Sequence, residues 1–219
     1  MKATTKVLSA ATLASLFFAG SSVSATQLPQ SLGPSVGSSA QVSTPISAPL
    51  ATQETLRTVL VPLTQMMGGI QPILGAMLTN PAMQGAIPLV VNPIEALAYD
   101  FIGPLVKEST GQEPINISGR DLNRMIQQTP DLQRVDVRTP QEYAQGHIPG
   151  AVNIPLQDVN AALQSGKIDK NKPLVFICQS GARSYMAGLL AITYGYTEVN
   201  NLQGGTVGGW IEAGLPVEQ

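Results

Sequence analysis

One cysteine, Cys178, and one histidine, His147, are all the thiol and imidazole that this chain of 219 residues offers a metal. One of each cannot fill a tetrahedral shell alone, so no metal site is expected, and no other cofactor. An internal disulfide is excluded for want of a second thiol. Charge is scarce as well. Asp, Glu, Lys and Arg make up 12% of the chain, about half of the usual fraction near 25%. The shortfall lies mainly in the N-terminal half. A net charge of −2 gives no footing for a nucleic-acid partner.

The first residues have the three parts of a secretory signal. Lys2 and Lys6 form a positive start, Val7 to Gly20 is an uncharged, largely apolar core, and Val23-Ser24-Ala25 offers small residues for cleavage. Residues 1–25 are therefore expected to be removed after Ala25. The core is short for a membrane span of about 20 residues. No Arg-Arg pair suggests twin-arginine export, and no cysteine near the cut suggests lipid attachment. The expected location is outside the cytoplasm, in a bacterial periplasm. Exported proteins usually carry cysteines in pairs, so an unpaired exported thiol is a candidate for reactivity.

Residues 26–52 are rich in Ser, Pro, Gln and Ala and read as a flexible linker. Residues 53–112 form an apolar extension with no charge between Thr58 and Ile94. Met66, Met67, Met77 and Met83 share that stretch with Pro62, Pro72, Pro81, Pro88 and Pro93. The prolines interrupt it too often for a membrane span, so short helices packed on the following domain are expected. Residues 58–94 also qualify as a surface for a protein partner, through adaptable Met side chains, or for a membrane, although they lack the usual basic face. Copper capture by methionines ranks last, because the Met spacing shows no regular motif.

The second half of the chain centres on Cys178. It follows the apolar run Leu174-Val175-Phe176-Ile177, which reads as a buried strand. The residues from Gly181 to Thr193 are mostly small and helix-compatible. The thiol thus falls on a tight loop between a strand's C-terminal end and a helix's N-terminal end. Amides of the loop and the helix dipole favour thiolate there, and the thiolate is the nucleophile. Gly181 allows the backbone conformation of a cradle. Arg183 adds a fixed charge that can hold an anionic donor or, alternatively, pair with a carboxylate and serve structure.

Three separate motifs give the segment from about Ile115 to Glu218 a family likeness. Asp136-Val137-Arg138, Glu142-Tyr143 and the run from Gly146 to Pro155 form the first. Cys178-Gln179-Ser180-Gly181-Ala182-Arg183-Ser184 forms the second. Leu202-Gln203-Gly204-Gly205-Thr206, Trp210 and Ala213-Gly214-Leu215-Pro216-Val217 form the third. Together they resemble a single rhodanese domain, here residues 113–219. The resemblance implies an α/β fold with a parallel sheet flanked by helices on both faces. It also implies a thiosulfate sulfurtransferase working through a persulfide on Cys178. Gln179, Ser180, Gly181, Ala182, Arg183 and Ser184 would cradle donor and persulfide, with a small anionic sulfur donor and a thiol or cyanide acceptor.

Local patterns agree with that fold. Ser118 reads as a helix N-cap, with Asp121 three residues on to reach back to the cap's amide. Leu122, Met125 and Ile126 then share one helical face. Short strands are expected at Val135–Val137 and Val152–Ile154, a helix near Asp158 to Leu163, and a helix after Cys178 with Tyr185, Leu189 and Ile192 on one side. Met186 and Leu190 widen that side, Gly195 ends it, and Val199 opens the last strand. Alternating strands and helices put ligands at the carboxyl ends of the strands.

Asp136 and Arg138 are expected to form a structural salt bridge or a loop-positioning hydrogen bond rather than to act in catalysis directly. His147 tempts a Cys–His pairing, but in the resemblance its motif belongs to the framework. A persulfide carrier or partner-binding module without turnover would also retain Cys178. A phosphatase or arsenate reductase of related fold is disfavoured. Those phosphatases separate Cys and Arg by six positions in a longer loop, and here the separation is five. Gln179 and Ser180 match neither the basic residues of thiosulfate enzymes nor the small ones of mercaptopyruvate enzymes.

Overall fold

A computed structural model describes residues 52–70, 73, 76–77, 80–86, 93 and 96–219. The expected signal, its cleavage point and the linker as far as residue 51 lie outside the described residues, as does much of the uncharged stretch. Among the described residues there are five strands: β1 (Ile115–Ile117), β2 (Gln133–Asp136), β3 (Val152–Asn153), β4 (Leu174–Ile177) and β5 (Val199–Leu202). All pair in parallel, in the order β1-β5-β4-β2-β3. Parallel pairing needs a crossover between strands, so both faces of the sheet are covered and its central strand is apolar throughout. In β4, Leu174 and Phe176 point into one core cluster while Val175 and Ile177 join Leu122, Leu202 and Trp210 in another. The α/β sheet implied by the sequence is the one observed.

The helices are α1 (Gln53–Gly69), α2 (Gly103–Thr110), α3 (Gly119–Gln128), α4 (Pro140–Ala144), α5 (Val159–Gln164) and α6 (Ala182–Thr193). Wider π-turns occur at Leu97–Ile102 and Gly205–Ile211. Ser118 caps α3 as expected, accepting from the Asp121 amide at 3.1 Å, while its hydroxyl donates to the Asp121 carboxylate at 2.6 Å. Every residue of α6 but Arg183 is buried. A helix apolar all round needs cover on all sides. The sheet covers one side of α6, and α1, α2 and the π-turn at Leu97–Ile102 lie against the others.

That cover corrects one expectation. The prolines do not divide the extension into short helices throughout, because α1 runs 17 residues straight through Pro62. A mid-helix proline costs about 3 kcal/mol. Here its ring points to solvent, while Leu56, Leu60, Thr64 and Met67 recur on the buried face. Burying those side chains, at about 1.5–3 kcal/mol for each large apolar one, outweighs the loss. Arg57 then donates to the Thr193 carbonyl at 2.8 Å and lies over the Tyr194 ring, which places a cation at the C-terminal end of α6. No helix among the described residues is long and apolar enough to cross a membrane.

Candidate active site

Cys178 comes directly after β4 and has no exposed surface. Its Sγ accepts a hydrogen bond from the Gly181 amide at 3.1 Å and lies 3.3 Å from Ser184 Oγ. The backbone reaches this arrangement through Gly181, whose φ of 111° is one that side-chain-bearing residues avoid. A β-carbon there would also meet Leu202 O at 3.3 Å and Gly204 N at 3.4 Å. Helix α6 begins at the next residue without a side-chain cap, so the positive end of its dipole lies at the loop that carries the sulfur. Of the expected cradle, Gly181, Ala182 and Ser184 are buried around the thiol, Gln179 is half-buried, and Ser180 is exposed at the outer edge.

The loop rests on the chain's third motif. The Cys178 carbonyl accepts from the Thr206 amide at 2.8 Å and from its hydroxyl at 3.2 Å. Gly205 sits so close to the Cys178 carbonyl that a β-carbon would come within 2.5 Å of it. Thr206 therefore anchors the sulfur-bearing residue from below. That role was not read from the sequence, although the Gly-Gly-Thr run was the signal for it.

Arg183 lies beside the loop and grips Glu142 in two parallel bonds, Nη1 to Oε2 at 3.0 Å and Nη2 to Oε1 at 2.9 Å. The arrangement is the carboxylate-pairing alternative. Glu142 also closes the N-terminus of α4. Its Oε2 accepts from the Thr139 amide, and its own amide donates to Thr139 Oγ1. Burial alone would push the Glu142 carboxyl up, but the hydrogen bonds and charge of Arg183, with the hydrogen bonds of Thr139, outweigh it and hold the group below the usual carboxylate range. Burial likewise works against the Arg183 cation. Glu142 and the negative charge available on Cys178 and Asp136 reverse that and raise its affinity for the proton.

Asp136 and Arg138 form a buried salt bridge with each other. Arg138 Nη2 donates to Asp136 Oδ2 at 2.7 Å and to the Gly146 carbonyl at 2.9 Å, with both side chains nearly inaccessible. The pair ties the end of β2 to the turn that carries His147. His147 stacks on Tyr143, with Nδ1 3.2 Å from the Tyr143 carbonyl and Nε2 3.6 Å from the Glu218 carboxylate. Both ring nitrogens thus face framework groups. What the site holds is one thiol with a backbone amide and a hydroxyl against it, and flanking charges already paired.

The family model described as a rhodanese-like domain matches residues 118–212. A sulfurtransferase from Allochromatium vinosum is 39% identical over 101 residues, covering 46% of this chain and 92% of the relative. The thiosulfate sulfurtransferase PspE of Escherichia coli is 39% identical over 70 residues, covering 32% and 67%. A thiosulfate:glutathione sulfurtransferase of Saccharomyces cerevisiae is 33% identical over 122 residues, covering 49% and 87%.

Proposed function

Because this chain belongs to the rhodanese-like family of sulfurtransferases, we propose that it moves a sulfane sulfur from thiosulfate to a thiol or cyanide through a persulfide on Cys178. The observation that carries the reading is the Gly181 amide aimed at Cys178 Sγ from 3.1 Å, with the N-terminus of α6 at the same loop. In the first step the Cys178 thiolate attacks the outer sulfur of thiosulfate. A sulfur–sulfur bond forms on Cys178, the bond within thiosulfate breaks, and sulfite leaves with the electron pair. In the second step the acceptor attacks the outer persulfide sulfur and the thiolate returns. Splitting one transfer in two lowers each barrier. Fixed amides facing the sulfur stabilise its negative charge in both steps without reorganising.

Of the three relatives above, two have thiosulfate in their names and one of those also has glutathione, which supports a thiosulfate donor and a thiol acceptor for this chain. Glu142 neutralises Arg183, so amides rather than a free guanidinium hold the donor. The proposal includes export to a bacterial periplasm with cleavage after Ala25.

Intact-mass measurement of the purified protein, before and after thiosulfate, tests the cycle. The expected result is a gain of about one sulfur atom that cyanide removes, absent in a folded Cys178→Ser variant. Sulfur transfer surviving in that variant would overturn the mechanism. The same spectrum reads whether the mature chain starts at Thr26.

A further inference from the structure

A chain of polar contacts runs from Cys178 out of the family-matched region and into the preceding segment. Ser184 Oγ lies 3.3 Å from Cys178 Sγ and 2.6 Å from Asn201 Oδ1. Asn201, on β5, is fully buried. A buried amide needs partners for its hydrogens. Its Nδ2 donates to Asn116 Oδ1 at 2.7 Å and to Tyr99 Oη at 3.1 Å, and this fixes Oδ1 toward Ser184. Tyr99 Oη in turn donates to the Gly181 carbonyl at 3.2 Å. Asn116 and Tyr99 both precede residue 118, where the family match begins.

Tyr99 is held for this contact. Its ring stacks on Tyr185, in the first turn of α6, at 4.2 Å between centroids. Gly103 leaves room for the pair, since a β-carbon there would come within 2.7 Å of Tyr185 Oη. The Gly181 carbonyl also accepts from the Tyr185 amide and from Ser184 Oγ, each at 2.9 Å, and because its peptide is planar and trans, a carbonyl held by these donors and Tyr99 turns the Ala182 N–H the opposite way. A donor on the carbonyl also polarises that N–H.

We propose that Tyr99 is a positioning residue for the Cys178 loop, so that the segment before the family domain completes the active site. It touches neither sulfur nor donor. It sets the Gly181 carbonyl from outside and the Asn201–Ser184 pair from beneath, and both act on the group that carries the persulfide. The inference rests on the sulfurtransferase reading.

The test compares the full-length protein with Tyr99→Phe, which keeps the stacked ring and removes one hydroxyl. Tyr196→Phe is the control, removing a buried hydroxyl bonded to the Ile168 carbonyl far along the chain. Steady-state kinetics use thiosulfate and cyanide, with thermal melts alongside. Losing one hydrogen bond to the loop is expected to lower kcat roughly threefold to tenfold in Tyr99→Phe, with KM for thiosulfate and the melting midpoint close to wild type and the control unchanged. Wild-type kcat in Tyr99→Phe overturns the inference, as does an equal fall in Tyr196→Phe. If the wild type itself transfers no sulfur, the functional reading fails instead. Alkylation of Cys178 by iodoacetamide then tests Tyr99 alone: slower reaction in Tyr99→Phe supports its role, and an equal rate rejects it.

Discussion

Glu142 serves two elements with one carboxylate, closing the start of α4 and holding Arg183 at the start of α6. Replacing it in Glu142→Gln leaves a largely buried guanidinium without its anion, a change that costs on the order of 3 kcal/mol at neutral pH. The deficit depends on pH in a defined direction. The folded-state carboxyl is held below its unfolded value, so the pair's contribution is fully present above the ordinary carboxylate range. It is lost as pH falls through the folded value, because the unfolded chain takes up the proton first. Urea midpoints of wild type and Glu142→Gln are therefore expected to converge from pH 7 toward pH 3, and parallel midpoints would contradict the assignment. At this scale the sequence made Cys178, Gly181 and Ser184 legible, since strand, loop and helix are contiguous. It gave Glu142 as part of a motif but not its partner, which stands 41 positions away. Asn201 and Tyr99 were not legible for the same reason. Their contact spans 102 positions, and no local spacing announces it.

The loop between β4 and α6 depends on one backbone angle. Gly181→Ala places a β-carbon where φ is 111°, which costs roughly 1–2 kcal/mol, and crowds the Leu202 carbonyl. Relieving that strain swings the Gly181 amide off the sulfur. The expected outcome is a modest fall in melting midpoint together with a larger fall in the rate of persulfide formation; a variant with wild-type turnover would show that the amide is dispensable. Both boundaries of this unit were readable. A four-residue apolar run defines β4, and Gly195, at φ 84°, stops the chain just past α6. Helix α1 was misjudged because the proline rule is local, while the burial that overrides it depends on α6. Strand β1 went unread: it is three residues long, Ile115 is 62% exposed, and its pairing with β5 is distant in sequence.

The whole molecule is larger than its family domain. Helices α1 and α2 and the turn bearing Tyr99 cover α6, which is buried at every position but Arg183. A fragment of residues 113–219 is expected to melt well below one of residues 52–219 and to aggregate, because it exposes that cover's footprint. Equal midpoints by calorimetry would show that the extension adds nothing to stability. The sequence signalled that something apolar precedes the domain. It did not say where the segment packs, since an uncharged Pro/Met-rich run has no periodicity that names a partner. One further property belongs to the molecule as a whole. Its single thiol is both the proposed nucleophile and fully enclosed, so a thiol-reactive dye added to the intact protein has one atom to find and must wait for the loop to part. The rate of colour development is then a clock for that opening, built into the native chain, with no label to install and no second sulfhydryl to subtract.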